Sequence, residues 1–172
     1  MNTTQETRIG IREAADADLH SIVAIVNCEI AESPFIWREE PTTIEVRRDW
    51  LSEHRRLNQP VIVATDVAGR VVGWASLSSF RSGSGYRFTC EVSVYVGRDM
   101  HRRGVGRRLI AELHERARSL GIRAVVAAID VDHTSSIELF RSFGYSEAGR
   151  LNDVGWKFGE WRSEVFMLNH LD

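Results

Sequence analysis

Apolar residues recur with two different periods along this chain, and each change of period marks an element. Residues 9–12 read as a short first strand. Leu19, Ile22, Val23, Val26 and Ile30 return every three or four positions, which predicts a helix over 16–30 with Asp16 as its N-cap. Prolines and turn formers make 32–41 a loop. Thr42 or Thr43 then caps a second helix carrying Ile44, Trp50 and Leu51. Strands are expected over 61–67, 71–80 and 88–96. Ala68-Gly69-Arg70 turns the first into the second, and a mobile Ser82-Gly83-Ser84-Gly85 turn precedes the third. A helix over 104–120 buries Val105, Leu109, Leu113, Ala117 and Leu120 and stops at Gly121. An apolar strand over 123–130, buried on both faces, leads to a short helix over 134–143 ended by Gly144. Strands over 145–150 and 163–168 close the chain.

Composition narrows the class. The chain has 172 residues, 43% of them apolar, enough for one compact domain with a core. A net charge of −2 gives no bulk attraction for nucleic acid. The two cysteines, Cys28 and Cys90, suggest neither a disulfide framework nor a metal site. No apolar run approaches the ~18 residues of a membrane helix, and the N-terminus MNTTQETRIG lacks an apolar signal segment, so the protein is read as cytoplasmic. All basic residues but Lys157 are arginine, as in a GC-rich genome.

The charge is unevenly spread. Arg98, Arg102, Arg103, Arg107 and Arg108 crowd around the start of the 104–120 helix. Arginine is disfavoured there, because the helix dipole is already positive. A ligand bearing several phosphates removes the conflict. Gly104 and Gly106, set between an apolar strand and a helix, let the backbone approach such an anion, and the first helical N–H groups point at it. A plain connecting turn would also use glycines. A dinucleotide fingerprint requires a third glycine, and Leu109 stands in that place, although the next strand does end in Asp130.

The stretch EVSVYVGRDMHRRGVGRRLIAELHERARSL (91–120) resembles the cofactor motif of the GNAT superfamily of acetyl-CoA-dependent N-acetyltransferases. The order of elements matches that fold along nearly the whole chain. It implies an α/β single domain with a mixed, mostly antiparallel central sheet flanked by helices. The resemblance assigns Arg102, Arg103, Gly104, Val105, Gly106 and Arg107 to the coenzyme A pyrophosphate. It assigns the backbone of Val94, Tyr95 and Val96 to the pantetheine arm and the thioester carbonyl. His101 takes the loop's usual Arg or Gln position.

Amide formation from an amine and a thioester requires proton removal, carbonyl polarisation and thiolate departure. Alternation puts Glu91, Ser93 and Tyr95 on one face of the strand and Cys90, Val92, Val94 and Val96 on the other. A carboxylate heading an apolar strand is either edge-exposed or a general base acting directly or through water. Many family members place an asparagine at the head of the helix after the fifth strand and a proton-donating tyrosine seven residues later. Here these are His133 and Phe140. Phe140 cannot donate, so the thiolate leaves unassisted, with water, or with another group. His133 either touches the pantetheine or caps the helix in solvent.

PFIWREEP (34–41), Phe80-Arg81, EVSVYV, VVAAID (125–130), SSIELFRSFGY and VGWKFGEW (154–161) together look like the phosphinothricin and methionine sulfoximine acetyltransferase group. That group acetylates the α-amine of small glutamate-like amino acids, a detoxification chemistry, and commonly forms homodimers. It places the substrate against Arg81, Ser82, Gly83, Glu91, Val92 and Ser93, with Arg81 contacting it. Arginine pairs bidentately with a carboxylate such as a free amino acid carries. Arg38 and Arg87 are alternative clamps, and each of the three is otherwise a surface charge. Phe35, Trp37 and Trp161 either wall the side-chain pocket or pack in the core. Phe140 replaces a usual histidine, and Ser82 and Gly83 replace bulkier residues, so the pocket is expected to be wider. The partners implied are a small-molecule amine, with no nucleic acid, membrane or metal. A peptide or protein N-terminus, a polyamine, or a non-catalytic acetyl-CoA sensor are the alternatives.

Overall fold

The computed structural model describes residues 9–171. Residues 1–8, which hold most of the N-terminal stretch read above, lie outside the described residues. The elements follow in the order β1 (Gly10–Glu13), α1 (Leu19–Glu32), α2 (Ile44–Arg56), β2 (Val61–Thr65), β3 (Val71–Ser79), β4 (Thr89–Val96), α3 (Val105–Ser119), β5 (Ala124–Asp130), α4 (Thr134–Arg141), β6 (Ser146–Lys157) and β7 (Glu160–His170). The strands form one sheet in the order β1-β2-β3-β4-β5-β7-β6. Every pairing is antiparallel except β4 with β5. The sheet is thus mixed and mostly antiparallel, as the resemblance implies.

Period-2 alternation splits the apolar residues of this sheet between two cores. Leu77, Cys90, Val92, Val125, Ala127 and Ile129 pack with the α3 residues Val105, Leu109 and Leu113 and with Ile137 and Phe140 of α4. On the other face, Val63 and Trp74 meet Leu19, Ile22, Val26 and Ile30 of α1 and Leu51 of α2. Among the described residues no helix is long and apolar enough to cross a membrane.

Three expectations need correction. Asp16 does not cap α1: 16–18 form a 3₁₀ turn, Asp16 pairs with Arg55, and the helix begins at Leu19. Leu120 is 39% exposed, because it is the C-cap and falls beyond the buried stripe of α3. The last two strands are far longer than their apolar runs, spanning twelve and eleven residues. Their tip is Phe158-Gly159, both at positive φ (51° and 82°), the requirement of a tight type I′ hairpin.

This hairpin explains why two separate motifs occur together. The ring of Trp37 lies over Gly155, where a Cβ would come within 2.2 Å of it. Lys157 is buried, and its Nζ donates at 2.6 Å to the carbonyls of Ile30 and Arg38. A cation there also suits the negative C-terminal end of α1. Trp37 Nε1 donates to Asp130 at 2.9 Å, and Arg162 makes two bonds to the same carboxylate. The loop between α1 and α2 is thereby held across the end of β5.

Candidate active site

The β4 and β5 strands pair only over Thr89, Cys90 and Glu91. Beyond Glu91 they separate, and β5 goes on pairing with β7 to Asp130. Gly97 N–H donates to Val72 O at 2.8 Å and Phe80 N–H to Thr89 O at 3.4 Å. Odd-numbered residues of β4 therefore turn their main chain to β3, and even-numbered residues turn theirs to β5. The Glu91–Val126 pairing uses the Val92 N–H, so among the described residues it is the Val94 and Val96 N–H groups that face the opening unpaired, whereas the main chain of Tyr95 is used by β3. His101 Nε2 donates to Val96 O at 3.0 Å, so one rim carbonyl is occupied. The Val94 N–H remains a donor aimed into the gap between β4 and β5.

The α3 helix begins at the mouth of this gap. Its first helical bond runs from Arg108 N–H to Gly104 O. The N–H groups of Val105, Gly106 and Arg107 therefore have no helical acceptor. Gly104 sits at φ 77° with nothing within 4 Å of a built Cβ, so its outer side is open. Arg102 and Arg103 are exposed, and neither forms an ion pair among the described residues; Arg102 itself takes φ 59°. Arg107 donates to Ser142 Oγ at 3.0 Å and lies over the Phe143 ring. The missing side chain of Gly106 serves packing. A Cβ there would meet Leu139 at 3.2 Å, so it permits close packing of α3 on α4. Free helix-start donors, a left-handed glycine and unpaired guanidinium groups together fit a pyrophosphate.

On the sheet face turned toward α1 and α2, Glu91 is half-buried and accepts no hydrogen bond among the described residues. Burial pushes its carboxyl above the ordinary range. Ser93 and Tyr95 continue the same face, with Tyr95 stacked on Trp74 at 4.5 Å. Val92 is buried on the opposite face. Glu164 of β7, which carries no local sequence signal, is raised by burial first and then by Glu91 and Asp130. Asp130 behaves oppositely. Burial opposes its charge, but the bonds from Arg162, the Asp132 N–H and Trp37 prevail and hold it below the carboxylate range. Arg47 lies over Trp50 and Trp74 without an ion-pair partner among the described residues.

His133 stands before α4, with its ring stacked on Phe35 at 4.3 Å, and burial lowers its affinity for a proton. Phe140 is a core residue, edge-on to Tyr145. Trp161 does not pack in the core: it is 62% exposed and pairs edge-on with Trp156 across the hairpin.

Arg81, Ser82 and Gly83 follow the end of β3, whose Ser78 and Ser79 pair with Glu91 and Cys90. They line a cavity of about 760 Å³ with Arg87 and Cys90, and Glu91 is not among its lining residues. Cys90 points toward α3, and burial pushes its thiol up to about 11, which leaves it a poor nucleophile. Among the described residues no group of His, Cys, Asp and Glu is arranged to hold a metal.

Comparison with known proteins agrees with this geometry. Residues 22–145 match the Acetyltransferase (GNAT) family. The chain is 41% identical over 162 residues to the L-methionine sulfoximine/L-methionine sulfone acetyltransferase of Pseudomonas aeruginosa, with 94% of each protein covered. Its fold superposes with TM-score 0.92 on a phosphinothricin acetyltransferase of Sinorhizobium meliloti in complex with acetyl-CoA, at 33% identity over 95% of this chain and 88% of that one. It also matches a structure described as a ribosomal-protein-alanine N-acetyltransferase of Brucella melitensis, with TM-score 0.91 and 41% identity, covering 94% and 99% of the two chains. A strand that splays beside an acid, a helix start with free N–H donors and relatives along nearly the whole fold converge on one assignment: the chain belongs to the GNAT family of acetyltransferases and uses acetyl-CoA as co-substrate.

Proposed function

We propose that this enzyme acetylates the α-amine of a small amino-acid-like substrate of the methionine sulfoximine, methionine sulfone or phosphinothricin type, acting in the cytoplasm as a detoxifying activity. Transfer is direct, with Glu91 as general base. The observation that carries this reading is Glu91 itself, a desolvated carboxylate without a donor at the point where β4 and β5 part. A base of raised proton affinity is better matched to an ammonium substrate than an exposed glutamate is. The thioester carbonyl is polarised by the Val94 N–H, and the pyrophosphate is held by the loop from Arg102 to Arg107. His133 flanks the pantetheine.

The names of the relatives support the substrate class, and a thiol-release assay tests it. Methionine sulfoximine, methionine sulfone and phosphinothricin are expected to be turned over with kcat/KM at least tenfold above polyamines and peptides. A preference for alanine-terminated peptides would favour the second reading, a protein N-terminal acetyltransferase, which the Brucella structure's description motivates. No transfer to any amine would leave an acetyl-CoA sensor.

Arg81 is assigned to the substrate carboxylate, with Ser82 and Gly83 beside it. It is exposed and makes no ion pair among the described residues, so it is available. Arg81→Ala is expected to raise KM for amino acids roughly tenfold or more, the scale of a lost charge-assisted bond, while acetyl-CoA affinity holds. An equal loss with an amine lacking a carboxylate would refute the clamp.

The protein is further proposed to be a homodimer. Val154, Trp156, Phe158 and Trp161 expose an apolar group around the hairpin tip that a partner subunit would cover. Light scattering at micromolar concentration is expected to give twice the chain mass, and a monomer mass would dispose of the proposal.

A further inference from the structure

Beside Glu91 lies a hydrogen-bond chain that the reaction as described does not use. His54, in the last turns of α2, is buried at 6% exposure. Its Nδ1 lies 2.9 Å from Trp50 O, and its Nε2 lies 2.9 Å from Ser78 Oγ. A carbonyl can only accept, so Nδ1 carries the proton and Nε2 of the neutral ring is an acceptor. Burial disfavours the imidazolium and keeps the ring neutral. The Ser78 hydroxyl must then donate to Nε2. Ser78 is the cross-strand partner of Glu91, on the same face of the sheet. Directly opposed side chains have their Cβ atoms about 5 Å apart, within reach of a serine oxygen and a glutamate carboxyl. A free serine would turn its O–H onto that carboxylate.

We propose that His54 is a positioning residue for Glu91: by holding the Ser78 proton it denies the carboxylate a hydrogen-bond donor and turns a hydroxyl lone pair toward the amine. The ammonium of the substrate then meets two acceptors, Glu91 and Ser78 Oγ, and no competing donor. A carboxylate that accepts a hydrogen bond is a weaker base. The inference rests on the reading of Glu91 as the base. The charged and titratable groups around the pair are Arg47 and Glu53 on α2, Glu164 on β7, and Tyr95 on β4 with Glu29 of α1 and Arg38 of the following loop beyond it. None of them donates to Glu91 among the described residues.

The test is a ¹³C titration of the Glu91 carboxyl, paired with the pH profile of kcat/KM. In His54→Phe the serine hydroxyl is released. The Glu91 titration and the acid limb of kcat/KM are both expected to move down by about one pH unit, the size of one charge-assisted hydrogen bond. The double variant His54→Phe/Ser78→Ala removes the donor and is expected to return both to their wild-type positions. An unmoved titration in His54→Phe, or the same displacement in the double variant, would overturn the proposal. Wild-type protein supplies a check independent of how the variants fold. ¹⁵N shifts of His54 are expected to show the Nδ1-protonated neutral tautomer from pH 7 to 9, and the Nε2-protonated form would refute the mechanism. The carboxyl titration needs no turnover, so failure of the base reading would show in Glu91 kinetics and failure of the positioning role would show here.

Discussion

Glu91→Gln is expected to lower kcat at pH 7 by ~10²–10⁴-fold, the usual contribution of a positioned base, and to leave acetyl-CoA affinity nearly unchanged. The α-amine of an amino acid is mostly protonated at neutral pH and inert until it loses a proton. Glutamine preserves the shape at a half-buried strand position and removes only the proton acceptor. The pH profile separates this from indirect damage. Wild-type activity is expected to rise along an acid limb lying above the ordinary glutamate range, because burial raises the Glu91 carboxyl. In the variant that limb disappears, activity climbs steadily as free amine accumulates, and the two rates converge in alkali. Linkage gives a second check. A folded-state pKa above the unfolded one means that stability is full below the unfolded value and is lost as pH rises through the folded value. The charged Glu91 therefore destabilises the fold at pH 7, and Glu91→Gln is expected to melt no lower than wild type. Equal rates from pH 6 to 9 would place the base elsewhere or assign proton removal to solvent.

The parts of this site that were legible in the sequence are those whose physics is local. Alternation along β4 separates Glu91, Ser93 and Tyr95 from Cys90 and Val92, and the two cores keep that separation. The glycine loop before α3 is a continuous segment, so its spacing alone displays a helix start open to an anion. The motif VGWKFGEW was visible as a pattern, but its purpose was not. Gly155 and Lys157 act on Trp37 and on the carbonyls of Ile30 and Arg38, more than a hundred residues away, and no local period encodes that contact. Tip residues such as Phe158 and Gly159 interrupt the apolar runs, which is why the sequence pattern of the long hairpin shows only two short strands. Glu164 and Ser78 were missed for a related reason. Each is an ordinary polar residue in its own strand, and each gains meaning only from sheet order and register beside Glu91.

Gly104→Val is expected to weaken acetyl-CoA binding by roughly ten- to a hundredfold, the loss of one or two charge-assisted hydrogen bonds. Two effects act together at this position. Gly104 adopts φ 77°, where an L side chain brings Cβ against its own carbonyl at a cost of about 1–2 kcal/mol. A branched side chain in that conformation either strains the loop or rotates it, and either result misaims the N–H groups of Val105, Gly106 and Arg107. The new methyl groups also enter the open space beside Gly104, which is where the anion must approach. Gly106→Ala provides the contrast. Its Cβ meets Leu139 at 3.2 Å, so its damage falls on the packing of α3 against α4 and should appear as lowered melting temperature more than as lost affinity. Calorimetry on the folded Gly104→Val protein tests the assignment, and acetyl-pantetheine makes it specific. That truncated thioester lacks the pyrophosphate, so its weaker binding should be nearly the same in wild type and variant. If full-length acetyl-CoA bound both proteins equally, or if acetyl-pantetheine lost as much affinity as acetyl-CoA, the loop would not be the pyrophosphate site. The β4 gap alone would then have to hold the co-substrate.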